Sequence, residues 1–367
     1  MDARIIISDS LNDSNMFYAV KTVINDDFIF IDKDGKKTIY VDPSWLNSAK
    51  QEAQVDRIVN YSDYDMNATR NSLETVIESI VKEQDIDRAV IPSNLKIKYA
   101  RILEKSNVKI RIEERMFPER ESKTKTEVQS VRMAQEATEK AMDKVVSLIR
   151  QASIGDGGRL VLNGRELTRF DLERAALIEL LNNGCESPHG CMVFNSPDLF
   201  RENNKGYLFG GKPIIIDIFP RSSANRYYSD MTRTIAKGSV SDEAKKLYNA
   251  VMDAQKYAIE KVRPGLKANE LYKAVLDYFH DRGYETDRGG IISQGFTHGL
   301  GHGVGLDVHE APELNIQNNA VLKEGNVITI EPGLYYPEIG GVRIEDVLLI
   351  TKDGCQNLTS YPKYLEV

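Results

Sequence analysis

At 367 residues the chain is long for one domain, and its length points to two. Its 48 Lys and Arg stand against 55 Asp and Glu, a formal net charge of −7, which argues against a nucleic-acid binder or a protein that docks on anionic membranes. Hydrophobic residues at 41% and charged residues at 28% describe a folded chain, no apolar run reaches the ~18–20 residues of a membrane span, and the start MDARIIISDS lacks the basic and apolar regions of a secretory signal.

Residues 1–118 read as a small α/β domain with a mixed sheet. Strand-like runs come first, at Ile5–Ile7, Phe17–Ile24, Phe28–Ile31 and Thr38–Val41, with a hairpin turn expected at Asp34-Gly35. Leu73, Val76, Ile77, Ile80 and Val81 then recur at helical spacing. Strands are expected at Ala89–Ile91 and Val108–Ile112, flanking a helix around Lys96–Glu104. No catalytic motif stands out here.

Charge and proline at Phe117–Ser122 mark a boundary, and residues 119–367 form the larger domain. A long helix is expected from Thr124 to Gln151, with Val128, Val131, Met142, Val145 and Ile149 on its buried face. A second runs from Thr168 to Asn182 and stops at Gly184; a third begins at the cap Ser241-Asp242-Glu243; a fourth spans Asn269–Asp281. A weak repeat links two halves of this domain. Gly211-Lys-Pro-Ile-Ile-Ile-Asp217 resembles Gly325-Asn-Val-Ile-Thr-Ile-Glu331, and Asp230 and Glu345 follow at nearly the same offset. Chance alignment of apolar strands is the competing explanation, and the joint repetition of both acids weighs against it.

Four carboxylates interrupt or end these strands. Asp217 shares a face with Ile215 and Phe219, and Asp230 with Tyr228, Thr232 and Thr234. Glu331 ends Val327–Ile330, and Glu345 follows Arg343 on one face of the last of these runs. A buried carboxylate needs hydrogen bonds, a counter-charge or a metal. One alone is more often a salt-bridged structural acid; four beside a histidine cluster call for cations. That cluster is Thr297-His298-Gly-Leu-Gly-His302-Gly-Val-Gly-Leu-Asp307-Val-His309-Glu310. Its alternate glycines disfavour a helix, so two histidines one helical turn apart on a zinc are not expected. Gly206 to Pro213 nearly matches a phosphate-binding loop, but Pro213 stands where Ser or Thr would hold Mg²⁺, so this stretch is read as a turn.

These motifs together resemble the pita-bread metallopeptidases, the superfamily of aminopeptidase P, prolidase, methionine aminopeptidase and creatinase. The resemblance covers residues ~122–367, and it rests on Asp217, Asp230 in Asp-Met-Thr-Arg-Thr, His302 in Gly-His-Gly-Val-Gly, Glu331 in Glu-Pro-Gly and Glu345 in Val-Arg-Ile-Glu-Asp. It implies an α+β fold: a catalytic domain of pseudo-twofold halves around a curved antiparallel sheet, preceded by the smaller α/β domain. It also implies two divalent ions that share Asp230 and Glu345, one taking Asp217 and the other His302 and Glu331. A metal-bridging hydroxide would then hydrolyse peptide bonds next to proline. The oxygen-rich donors suit Mn²⁺ or Co²⁺, with Fe²⁺ or Zn²⁺ as alternatives. Glu331 would be the general base, His309 would stabilise the oxyanion or shuttle a proton, and His298 would line the substrate pocket. Arg343 is expected to orient Glu345, with Thr232 and Tyr335 as further supports around the ligands.

Two departures from the family pattern matter. The strand aspartates lie 13 apart, so the hairpin through Arg221–Arg226 is about two residues longer than is common. Phe200 stands 17 before Asp217, where a histidine is usual; His189 lies 28 before it and reads as a plain loop histidine or, with a rearranged loop, as its replacement. His280 is expected to be structural. Cys185, Cys191 and Cys355 are too few for a disulfide framework and read as ordinary thiols, which with the missing signal suggests a cytoplasmic protein. The expected partner is a small proline-containing peptide, with no nucleic acid and no membrane, and the chain is expected to form a homodimer. The leading activity is Xaa-Pro dipeptidase, ahead of Xaa-Pro aminopeptidase. A non-peptidase hydrolase or lyase of a small polar substrate on the same scaffold and a degenerate interaction module are the alternatives.

Overall fold

Ile5, Ile6 and Ile7 are all buried. The strand that carries them, β1 (Ala3–Ser8), therefore has apolar cover on both faces, as an interior strand of a helix-flanked sheet must. The computed structural model describes residues 2–64, 73–195, 205–289 and 293–367, divided between two compact units, Met1–Pro118 and Glu119–Val367.

In the first unit, the run Phe17–Ile24 that suggests a strand starts inside a helix instead, α1 (Ser14–Val20). Asp13 caps it by accepting a hydrogen bond from the Met16 N–H at 2.9 Å. Met16, Phe17, Ala19 and Val20 then form one buried face at spacings of three and four. The unit continues with β2 (Phe28–Lys33), β3 (Lys36–Val41), α2 (Leu46–Glu52), β4 (Arg57–Asn60), α3 (Leu73–Glu83), β5 (Arg88–Pro92), α4 (Ile97–Lys105) and β6 (Lys109–Glu113). The sheet order is β4-β3-β2-β1-β5-β6. It mixes antiparallel hairpins at β1-β2-β3 with parallel pairs at β3-β4, β1-β5 and β5-β6. Asp34 and Gly35 turn the β2–β3 hairpin, both at positive φ, 53° and 78°. Two apolar clusters cover the sheet, one with Ile5, Ile7 and Ile77, the other with Ile6, Met16 and Phe30.

The second unit opens with α5 (Lys125–Gln151), closed at its start by a reciprocal capping box of Thr124 and Glu127. A small sheet of β7 (Ser153–Ile154), β8 (Leu160–Leu162) and β9 (Arg165–Glu166) follows, then α6 (Arg169–Asn182), capped by Thr168. Next come β10 (Cys185–Glu186), β11 (Cys191–Asn195), β12 (Ile214–Ile218), β13 (Arg221–Ser222) and β14 (Met231–Ile235). Strands β11-β12-β14 form one antiparallel sheet, and β10 pairs with β13. The chain then repeats itself, with α7 (Asp242–Lys261), α8 (Ala268–His280), β15 (Gly301–Gly303), β16 (Glu310–Leu314), β17 (Val327–Ile330), β18 (Gly333–Tyr336), β19 (Gly340–Arg343), β20 (Asp346–Ile350) and β21 (Cys355–Asn357). The second sheet runs β16-β15-β17-β20-β21, all antiparallel, and β18 pairs with β19.

Helix, helix and the strand order β11-β12-β14 in the first half thus match helix, helix and β15-β17-β20 in the second. Each half has its own apolar core, one around Met142, Leu180 and Ile216, the other around Leu247, Phe279 and Ile328. The architecture is α+β. All three cysteines are free. Among the described residues, no helix is long and apolar enough to cross a membrane.

Candidate metal centre

The two antiparallel strand pairs deliver the carboxylates. Asp217 stands in β12 directly opposite Thr232 of β14, with Asp230 just before that strand. In the second half Ile330 pairs with Asp346, so Glu331 and Glu345 face each other one residue beyond. His302 comes from β15, which is held between β16 and β17. That strand can lie so close only because glycines flank the histidine. A Cβ on Gly301 would meet the Thr329 carbonyl oxygen at 2.1 Å, and one on Gly303 would meet the Ala311 carbonyl oxygen at 2.4 Å. This is the physical reason for the alternating glycines.

One donor atom from each of Asp230, His302 and Glu345 lies within 4.8 Å of the others. Glu331 joins them, with Oε1 3.3 Å from His302 Nε2, while Asp230 Oδ2 is 3.7 Å from the same nitrogen. Asp217 lines the same cavity but is held by an ion pair with Arg343. The cavity has a volume of about 1040 Å³, and His298, His309 and Tyr335 also line it.

Three buried oxygens here, Asp217 Oδ1, Asp230 Oδ1 and Glu345 Oε1, have no hydrogen-bond partner among the described residues. Orphaned carboxylate oxygens in one pocket fit a cation. The electrostatics agree. Burial, then Glu345 and the other acids, push Asp230 well above the usual carboxylate range. Burial and Glu331 do the same to Glu345, and burial raises Asp217 despite Arg343. Glu331 differs: burial would raise it, but the hydrogen bond and charge of His302 hold it down at about 2.

The histidine tautomers follow from their partners. His302 Nδ1 lies 3.1 Å from the Gly303 carbonyl, which can only accept, so Nδ1 carries a proton, and Nε2 faces Asp230 and Glu331, whose charges favour a proton there too in the metal-free protein. His298 Nδ1 likewise donates to the Gly299 carbonyl at 2.7 Å, and its Nε2 accepts from the Tyr335 hydroxyl at 2.9 Å. Burial lowers the His298 pKa and keeps the ring neutral. His309 stands edge-on to His302, ring centres 4.3 Å apart at 85°.

Arg343 corrects one expectation. It does not reach Glu345 directly. β19 ends at Arg343 and β20 begins at Asp346; Arg343 and Glu345 both face the cavity, while Ile344 between them packs in the core. The guanidinium pairs with Asp217, donates through Nη1 to Tyr335 Oη at 3.3 Å, and through Nε to Thr232 Oγ1 at 3.1 Å. Thr232 passes the contact on, donating to Glu345 Oε2 at 2.8 Å.

His189 is exposed and on a loop, yet it borders the cavity and stacks on Tyr228 at 6.4 Å. Phe200 lies outside the described residues. His280 is exposed on the last turn of α8, 3.3 Å from Glu285. Two features were not foreseen from sequence. Glu310, beside His309, is gripped by Arg120 at 2.8 Å and by the buried Lys123 at 2.5 Å. Gln255 of α7 reaches the strands that carry the glutamates. Glu310 ends the histidine cluster, but its cations, Arg120 and Lys123, lie far upstream in the sequence, and Gln255 lies in no motif.

Residues 129–352 match the pattern of metallopeptidase family M24. An Xaa-Pro dipeptidase of Pyrococcus furiosus is 33% identical over 353 residues, spanning 92% of this chain and 88% of that protein. The prolidase from Pyrococcus horikoshii OT3 superposes with a TM-score of 0.80 at 26% identity, over 100% of this chain and 95% of that one. The X-Pro aminopeptidase from Thermotoga maritima MSB8 shares the fold, with a TM-score of 0.81 at 22% identity over 100% of this chain and 98% of that one. The chain belongs to metallopeptidase family M24, and its architecture is the prolidase-like, pita-bread fold of that family.

Proposed function

We propose that the chain is a dinuclear metallopeptidase of Xaa-Pro dipeptidase type, with Asp217, Asp230, His302, Glu331 and Glu345 as its metal ligands. The reading is carried by the convergence of these five side chains on one cavity, three of them with orphaned buried oxygens. Four carboxylates and one imidazole favour Mn²⁺ or Co²⁺ over a thiolate-seeking ion. Ions bound there supply a Lewis acid for the scissile carbonyl and a water that ionises near neutral pH.

The chain's own groups do the rest. Glu331, which lines the cavity 3.3 Å from His302, accepts the proton of the attacking water and returns it to the leaving proline nitrogen. His309, beside His302 and bordering the cavity, donates a hydrogen bond to the carbonyl oxygen as negative charge develops. His298 is fixed by Gly299 and Tyr335 and walls the substrate. Arg343 holds Asp217 in place, and Thr232 holds Glu345. The 33% identity to a Pyrococcus Xaa-Pro dipeptidase supports proline specificity and a dipeptide substrate.

The test is a side-by-side assay with Mn²⁺ of an Xaa-Pro dipeptide, an Xaa-Pro-Yaa tripeptide and a proline-free dipeptide. Preferential cleavage of the first supports the proposal. Preference for the tripeptide turns it into an aminopeptidase, and no preference for proline sinks it.

A further inference from the structure

Gln255 is fully buried on α7. Its amide nitrogen donates to two backbone carbonyls, Ile330 O at 2.9 Å and Ile344 O at 3.1 Å. Each belongs to the residue immediately before a proposed ligand, Glu331 in one case and Glu345 in the other.

Pro332 explains why a side chain is needed there. The registers that pair Ile330 with Asp346 and Gly333 with Arg343 are one continuous register, and they set Pro332 opposite Ile344. The Ile344 N–H faces the Pro332 carbonyl at 3.4 Å. Pro332 has no N–H to send back to the Ile344 carbonyl. Gln255 supplies the missing donor from the helix. It thereby joins the β17–β20 and β18–β19 ladders at the point where both glutamates leave them. Gln255 Oε1 has no hydrogen-bond partner among the described residues. A half-satisfied buried amide is costly, and an apolar side chain of the same size would avoid that cost.

The first half supports its aspartate differently. Thr138 Oγ1 of α5 lies 2.6 Å from Ser229 Oγ, and Gln135 Nε2 lies 3.8 Å from Met231 Sδ, on either side of Asp230.

We propose that Gln255 is a positioning residue for the metal centre, holding the carbonyls before Glu331 and Glu345 so that the two carboxylates keep the spacing the ions require. The inference rests on the ligand assignment proposed above.

The experiment titrates chelator-treated wild type, Q255M, V251A and the double variant Q255M/P332A with Mn²⁺ by calorimetry, with thermal melts and steady-state kinetics beside it. Val251 is buried one turn away on the same helix and touches neither carbonyl through a hydrogen bond, so V251A reports on core damage alone. Q255M is expected to bind at least one Mn²⁺ about 10-fold or more weakly, the usual effect of removing an outer support. Its kcat should fall while KM for the dipeptide holds. V251A should melt lower yet keep wild-type Mn²⁺ affinity. P332A restores a backbone N–H opposite Ile344, so the double variant should regain part of the lost affinity. Wild-type affinity and kcat in Q255M, or an equal loss in V251A, overturns the inference. If Q255M does not fold, Q255L carries the same comparison. Wild type that takes up no Mn²⁺ overturns the ligand assignment and this inference with it; wild type that binds while Q255M behaves identically overturns this inference alone.

Discussion

The Thr232 hydroxyl donates to Glu345 Oε2 across 2.8 Å, and this contact ties the two halves of the catalytic unit at the metal site. Thr232 belongs to the strand of the first half and Glu345 to the second. The same hydroxyl accepts from Arg343 Nε at 3.1 Å. Thr232→Val keeps the shape and removes both bonds. Mn²⁺ affinity, read by calorimetry, is expected to fall by about 10- to 100-fold, the range for lost support of a ligand.

Arg343 uses its whole fork, on Asp217, Tyr335 and Thr232. A lysine has one point charge and can satisfy only part of this. Arg343→Lys is expected to lower kcat by about 10-fold or more, with Arg343→Met worse because Asp217 then stays buried beside the other acids without its cation. Equal kcat for Arg, Lys and Met would remove Arg343 from the account.

His309 contacts His302 only through its ring edge and is not among the proposed ligands. His309→Ala should therefore leave Mn²⁺ affinity unchanged and lower kcat by about 10²–10³, the effect of losing one donor to a developing oxyanion. A variant that loses metal instead would make His309 a ligand.

The pH dependence of the metal-free protein has a defined sign. Burial and Glu331 raise Glu345 from 4.5 to about 8. The folded state then holds that proton more tightly than the unfolded chain, and this stabilisation is lost as pH rises toward 8. His302 acts in the same direction: burial alone would lower it, but Glu331 and Glu345 raise it from 6.5 to about 9, so its contribution also disappears with rising pH. Glu331, held at about 2, contributes stability that persists above 4.5 and is lost only in acid. The melting temperature of chelator-treated protein should fall between about pH 4.5 and 9, and added Mn²⁺ should flatten the slope. A flat profile without metal would mean that the acids are not crowded as the geometry indicates.

Much of the site was legible in the sequence because its physics is local. A carboxylate that interrupts Ile214–Ile218, or that ends Val327–Ile330, violates the apolar pattern around it and so announces itself. Gly301 and Gly303 mark close backbone approach on both sides of His302. The helices at Thr124, Thr168 and Ser241 announce themselves by their caps. What was not legible depends on distant partners. The segment Phe17–Ile24 is rich in strand formers, and only the Asp13 cap and a short face packed under Phe30 make its start a helix. Arg343 reads as a partner of Glu345 two residues away, yet it reaches Asp217, 126 residues off. Gln255 is one polar residue on an apolar face, and its role depends on a proline 77 positions later whose missing N–H cannot be seen until the register is known.

The most direct test of the account is to strip the protein with a chelator and titrate Mn²⁺ back, following binding and Xaa-Pro dipeptide hydrolysis at each addition, with Glu345→Ala in parallel. The account predicts two ions per chain, activity that returns as they bind, and loss of both in the variant. Hydrolysis that survives chelation, or full activity in Glu345→Ala, would contradict it.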